Sequence, residues 1–253
     1  MSSVRSRLFT AAEACDSNSN SPSTWPSGNE TQAGVSASTC AEFKLRWRNK
    51  VRRQEFAVVD SKWVAEIAQR CEVGYLGLED RLGYPRVVPL NFVLLDEQIY
   101  FHGALSGEKF EVFSAGGKAS FSMVGLSTLI PSYWLAAENA CPATAFFESA
   151  AIRGKGVVVD QLDEKARALQ SLMEKYQPEG RYRPIQAQDP MYRQALENVG
   201  VFKIIPHHVD LKVKYGQNMG KKVRHRLAAH LQRRNRGDDH AVAELIEQSL
   251  QDG

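Results

Sequence analysis

The sequence predicts an α+β fold: about six antiparallel strands forming a barrel or sandwich, with peripheral helices and a C-terminal helical pair. Three observations predict it. Strand-like runs at residues 73–78, 86–95 and 99–102 are joined by short turns, whereas parallel strands need a long crossover. Helical runs are inserted between and after the strands rather than alternating with them. The 253 residues are 43% hydrophobic and 24% charged, a composition that can fill one sizeable core.

The elements follow in order. Residues 1–40 include a tract of Ser, Asn, Thr, Gly and Pro in which Trp25 is the only large apolar side chain. Such a tract buries too little to offset its ordering entropy, so a disordered extension is expected. Residues 41–216 are expected to form the folded domain and 217–253 a helical extension. Asp60 can cap a helix whose apolar positions Trp63, Val64, Ile67 and Ala68 fall at helical spacing. Residues 73–78 read as a strand, 79–83 as a turn, 86–95 as one β-branched strand, 96–98 as a turn and 99–102 as a strand. Residues 107–114 read as a helix with Phe110 and Phe113 on one face, and 118–124 alternate as a half-buried strand does. Residues 145–159 suit a long bent strand, with Gly154 and Gly156 marking a bulge or barrel corner.

An amphipathic helix is expected over 163–176, and Asp189-Pro190 opens another, the Asp as cap and the Pro at the first position. A final strand pair, 201–205 and 209–215, is expected to turn at Pro206, followed by helices at 220–234 and 239–250. The last of the basic runs lies here: Lys212, Lys214, Lys221, Lys222, Arg224, Arg226, Arg233, Arg234 and Arg236, with no acid between 211 and 237. Val223, Leu227 and Leu231 give the same segment an apolar stripe, which points to a docked helix with a solvated basic face. Nucleic acid is therefore not the expected partner.

Several classes are excluded early. No apolar stretch approaches the roughly 18–20 uncharged residues of a membrane-spanning helix, so no membrane partner is expected. Cys15, Cys40, Cys71 and Cys141 are scattered without a C-x-x-C or a paired His, which fits free thiols in a cytoplasmic protein with no metal site. The 32 Lys and Arg against 29 Asp and Glu leave a net charge of +3, too small to name a partner.

The chemistry concentrates in residues 85–113, PRVVPLNFVLLDEQIYFHGALSGEKFEVF. Gly103, Ser106 and Gly107 link a strand to a helix, and Lys109 falls in that helix's first turn. A cation there opposes the helix dipole unless an anion lies between it and the free backbone amides. A phosphate cradle is one reading and a solvated surface lysine is the other. Arg86, at the head of the preceding strand, could reach the same anion. His102 ends a strand beside the link, where it can serve proton transfer or simply hydrogen-bond. Asn91 inside an apolar strand needs partners, from a ligand or from backbone. Tyr133 and Trp134 could cover a flat ring or pack in the core.

The runs P-R-V-V-P-L-N-F-V, I-Y-F-H-G-A and G-x-K, continued by residues 146–156, 160–165 and Tyr176-Gln177-Pro178, resemble the pyridoxamine 5′-phosphate oxidase-like flavoproteins, above all the nitroimidazole-resistance branch. The resemblance implies a split β-barrel that binds FMN at the interface of a homodimer. It implies that Arg86, Val87, Val88, Pro89, Leu90 and Asn91 line the flavin, that His102 and Gly103 touch it from the next strand, and that Gly107 and Lys109 hold its phosphate. It adds Ser149 as a flavin contact and His102 as the catalytic residue, with NAD(P)H and a small nitro-aromatic or quinone-like acceptor as substrates. The chain departs from the oxidases proper: Glu108 stands where they carry a basic residue, Asn91 where they carry a Lys, and Glu148-Ser149 where they carry a basic-Gln pair. An FMN-dependent oxidoreductase is thus expected ahead of a vitamin B6 oxidase, with a non-enzymatic flavin or haem carrier or sensor as the other alternative.

Overall fold

The computed structural model describes residues 51–251, and the extension expected over 1–40 lies outside them. The strands are β1 (Ala57–Val58), β2 (Gly74–Glu79), β3 (Pro85–Leu90), β4 (Val93–Leu95), β5 (Gln98–Gly103), β6 (Lys118–Ile130), β7 (Thr144–Val159) and β8 (Gly200–Lys214). The helices are α1 (Ser61–Arg70), α2 (Glu108–Ser114), α3 (Leu162–Tyr176), α4 (Pro190–Asn198), α5 (Lys221–Arg234) and α6 (Asp239–Gln251). All strand pairs are antiparallel, in the order β3-β2-β6-β7-β8-β5-β4 with β1 added to β8. The α+β class stands, but the described residues form eight strands where about six were expected.

The expected strand at 86–95 is two strands. β3 pairs with β2 at one end of the sheet and β4 pairs with β5 at the other, and only Asn91 and Phe92 lie between them. Three Cα steps of about 3.8 Å cover that gap, so the sheet must curl until its ends lie within roughly 11 Å. Side chains of α3 and a loop carbonyl make the crossing possible by satisfying its backbone and its Asn. The Phe92 amide donates to the Tyr176 hydroxyl (3.0 Å), Lys175 Nζ donates to the Phe92 carbonyl (3.0 Å), and Asn91 Nδ2 donates to the Glu72 carbonyl (3.1 Å). Phe92 then turns fully into the core against Phe121, ring centroids 4.8 Å apart.

The strand pair expected around Pro206 is one strand, β8, lying along β7 for nearly its whole length. Pro206 falls opposite Gly154, where the register shifts after Arg153. The missing N–H of Pro is accommodated at that bulge, so the chain bends without turning back. The strand expected to end at Val124 likewise continues to Ile130 past a bulge between Val124 and Ser127. The buried Glu148 carboxylate accepts the Leu126 amide there (3.1 Å), replacing the lost ladder bond.

Alternation puts Leu76, Phe121, Met123, Ala150 and Ile152 on the inner face of the sheet, where they pack against Val64, Ile67 and Ala68 of α1. Asp60 caps that helix by accepting the Lys62 amide (2.9 Å). A second cluster joins Ile130, Phe146, Val213 and Tyr215 to Leu227, Ala228 and Leu231 of α5 and to α6. The basic helix is therefore docked through an apolar face, as its stripe predicts. Trp134 stacks on His230 (4.8 Å, 14°) beneath Arg234, so it packs the α5 side, while Tyr133 is 67% exposed. No described helix is long and apolar enough to cross a membrane.

Candidate functional site

The site is built where α2 meets both ends of the curled sheet. Its helix is docked by an aromatic triad: Phe113 lies edge-on to Phe101 of β5 (5.4 Å, 84°) and to Phe202 of β8 (5.5 Å, 78°). Phe113 is buried, so the helix cannot slide without opening the core. The chain enters α2 through Gly107, whose φ of 83° is a conformation that a side chain would strain.

This docking brings four of the expected residues together. Arg86 of β3 reaches α2, its Nε 3.2 Å from Glu108 Oε2. Lys109, half-buried, folds back toward β5, where a Cβ built on Gly103 would stand 3.4 Å from its Nζ. No hydrogen bond or ion pair to Lys109 exists among the described residues, an unusual state for a half-buried ammonium. His102 projects from the same strand, exposed, opposite Val201 of β8. A further ion pair, Arg81 to Glu111 (2.7 Å), ties the β2–β3 turn to the same helix.

β3 supplies the other wall. Among the described residues it bonds to β2 along one edge only, and the backbone groups of its second edge have no sheet partner there. Val88 and Leu90 are half-buried, and Val87 and Pro89 point to the outer face. Asn91 lies past the strand end with its amide committed to Glu72, not inside an apolar strand.

Ser149 stands apart. It sits on β7 between Val124 and Lys212, three strands from β3 along the sheet. Sequence reasoning missed Glu108 as the partner of Arg86, because residues 22 positions apart become neighbours only when α2 docks. It also missed a cavity of about 650 Å³ on the outer face of β2, β6 and β7, which Arg86 and Val87 border.

Residues 60–213 match the pyridoxamine 5′-phosphate oxidase family, and the chain belongs to that family. Solved structures agree with the fold. A Bacteroides thetaiotaomicron protein named for 5-nitroimidazole antibiotic resistance is 24% identical, with a TM-score of 0.50 over 62% of this chain and 86% of its own. A flavocytochrome from Azotobacter vinelandii is 20% identical, with a TM-score of 0.53 over 64% of this chain and 70% of its own. An FAD- and haem-binding protein from Mycobacterium smegmatis is 16% identical, with a TM-score of 0.52 over 63% of this chain and 73% of its own. At such identities the likeness establishes the shared fold. Among curated proteins, no sequence is significantly similar to this chain.

Proposed function

We propose that the protein is an FMN-dependent oxidoreductase that takes electrons from a nicotinamide nucleotide and passes them to a small-molecule acceptor. The observation that carries this reading is Lys109: a half-buried ammonium from the first turn of α2, beside Gly103, with no carboxylate partner among the described residues. That combination suits a phosphate dianion, which the ammonium and free N–H groups stabilise together. Bound FMN would supply the two-electron redox chemistry.

The chain's own residues would do the rest. Lys109 holds the phosphate and Arg86 adds a second cation once Glu108 yields it. The free edge of β3 offers backbone donors and acceptors to the polar edge of the ring, with Val88 and Leu90 as an apolar wall. His102, free of other hydrogen bonds among the described residues, can hold or deliver a proton at its imidazole nitrogens.

Ser149 would join the site from a second copy of the chain. Tyr75 and Val124, each 46% exposed, share its outer face and favour such a homodimer. Vitamin B6 oxidation is disfavoured because Glu108 already neutralises Arg86 and Asn91 is tied to Glu72. His102 is equally open to a haem iron, the second reading.

The visible spectrum of the purified protein separates them: flavin bands are expected, and a Soret band would replace flavin by haem. His102→Ala should keep the flavin and lose turnover with a nicotinamide donor by about a hundredfold or more. Unchanged turnover would make His102 structural.

A further inference from the structure

The cavity on the outer sheet face carries a charge arrangement that the flavin reading does not use. Lys118 and Lys155 are direct cross-strand partners in the β6–β7 ladder, and both border the cavity. Neither ammonium has an ion pair or hydrogen bond among the described residues. Like charges directly opposite each other destabilise an antiparallel pair, since their Cβ atoms stand only about 5 Å apart. Arg153, two pairs further along on the same face and opposite Ser120, adds a third cation, and His207 closes the rim from the β8 bulge.

Lys155 lies across the turn before β6, where a Cβ on Gly116 would stand 2.8 Å from its Cε. Gly116 has φ 64°, which favours glycine. Of the carboxylates nearby, Asp210 engages Arg153 (3.5 Å) and His208 (3.1 Å), and Glu79 borders the cavity without an ion pair to either lysine. Opposite the cations, Pro85 and Val87 present an apolar wall.

We infer that this cavity is a second anion site, built for the diphosphate of a nucleotide. Two lysines directly opposite each other across the ladder can bracket a diphosphate, whose two charged groups engage both cations where a single inorganic ion engages fewer. A volume of about 650 Å³ exceeds the needs of the anion and leaves room for a sugar and base against Pro85 and Val87. The same chemistry has two sources: free ADP-like nucleotide, or the ADP half of a dinucleotide whose flavin end lies past Arg86, the residue that borders both places.

Calorimetric titration of the full-length protein with pyrophosphate and with ADP tests the site. The protein should bind one ADP per chain, more tightly than pyrophosphate. The double variant Lys118→Gln/Lys155→Gln should weaken both by roughly tenfold or more, and Lys109→Ala should leave ADP binding unchanged. Both lysines are exposed and mutually repulsive, so the double variant should melt at or above the temperature of the natural protein. Absence of ADP binding, equal affinity in the double variant, or loss of binding in Lys109→Ala would each overturn the inference. The last outcome would assign the anion to the flavin cradle, and an intact response in Lys109→Ala stands whether or not flavin binds. Tighter binding of FAD than FMN, abolished by the double variant, would identify a dinucleotide as the source. ADP binding without that preference would identify a free nucleotide.

Discussion

Asp239 carries more of the stability than its position in the sequence suggests. Its carboxylate is fully buried and accepts from Arg234 (2.6 and 2.7 Å), from the Arg236 amide (3.0 Å) and from Thr128. Burial alone would raise its pKa, but those hydrogen bonds outweigh it and hold the group at about 2. A carboxyl depressed in the folded state stabilises above its unfolded pKa, and that contribution disappears as pH falls through the folded value. Between about pH 4 and pH 2 the protein should therefore lose roughly 2 kcal/mol through this residue. Asp239→Asn should lower the melting temperature at pH 7 and flatten the acid limb, as melting curves across that window can read. Other residue-scale features are hidden from the sequence for a common reason. Lys165 and Lys175 read as solvated positions of an amphipathic helix. In the fold Lys165 donates to the Leu196 and Val199 carbonyls, and Lys175 to those of Ala68, Cys71 and Phe92. Periodicity locates a helix face, but it cannot show that a long cationic stem reaches another helix's end.

At the scale of elements, local signals work where they are chemical and fail where partners decide. Asp60 and Asp189 cap the helices expected of them, and Asp96-Glu97 turns β4 into β5 with positive φ at both residues. By contrast, residues 87–95 form an apolar run interrupted only by Asn91, and only the paired strands reveal that it crosses from one sheet end to the other. Pro206 reads as a turn because a central strand rarely tolerates it, and only the β7 register shows a bulge instead. The element that matters most for the site is α2, a short helix that depends on its packing. Phe113→Ala should cost about 3–5 kcal/mol by chemical denaturation and should weaken flavin binding along with it. A variant that lost stability but bound flavin as before would separate the cradle from the helix beneath it.

Across the whole molecule, curling of the sheet converts sequence neighbours into a site. Arg86 and Lys109 lie on β3 and α2, and the two-residue crossing at Asn91-Phe92 brings the β5 end of the sheet beside the β3 end. The P-R-V-V-P-L-N and H-G-A-x-x-G-x-K runs make this cluster legible from residue order alone, because each wall of it is local in the chain. Ser149 and the Lys118–Lys155 pair lie beyond that reach. Ser149 is placed by its pairing with Val124 and Lys212, far from α2 in the sheet order, and the two lysines meet only through β6–β7 register. The proposed site depends on the Lys109 ammonium beside Gly103. Titration of flavin-free protein with FMN, followed by quenching of flavin fluorescence, tests it most directly. Saturation at one FMN per chain is expected, with affinity reduced at least tenfold in Lys109→Met. No quenching in the natural protein, or the same affinity in Lys109→Met, would contradict it.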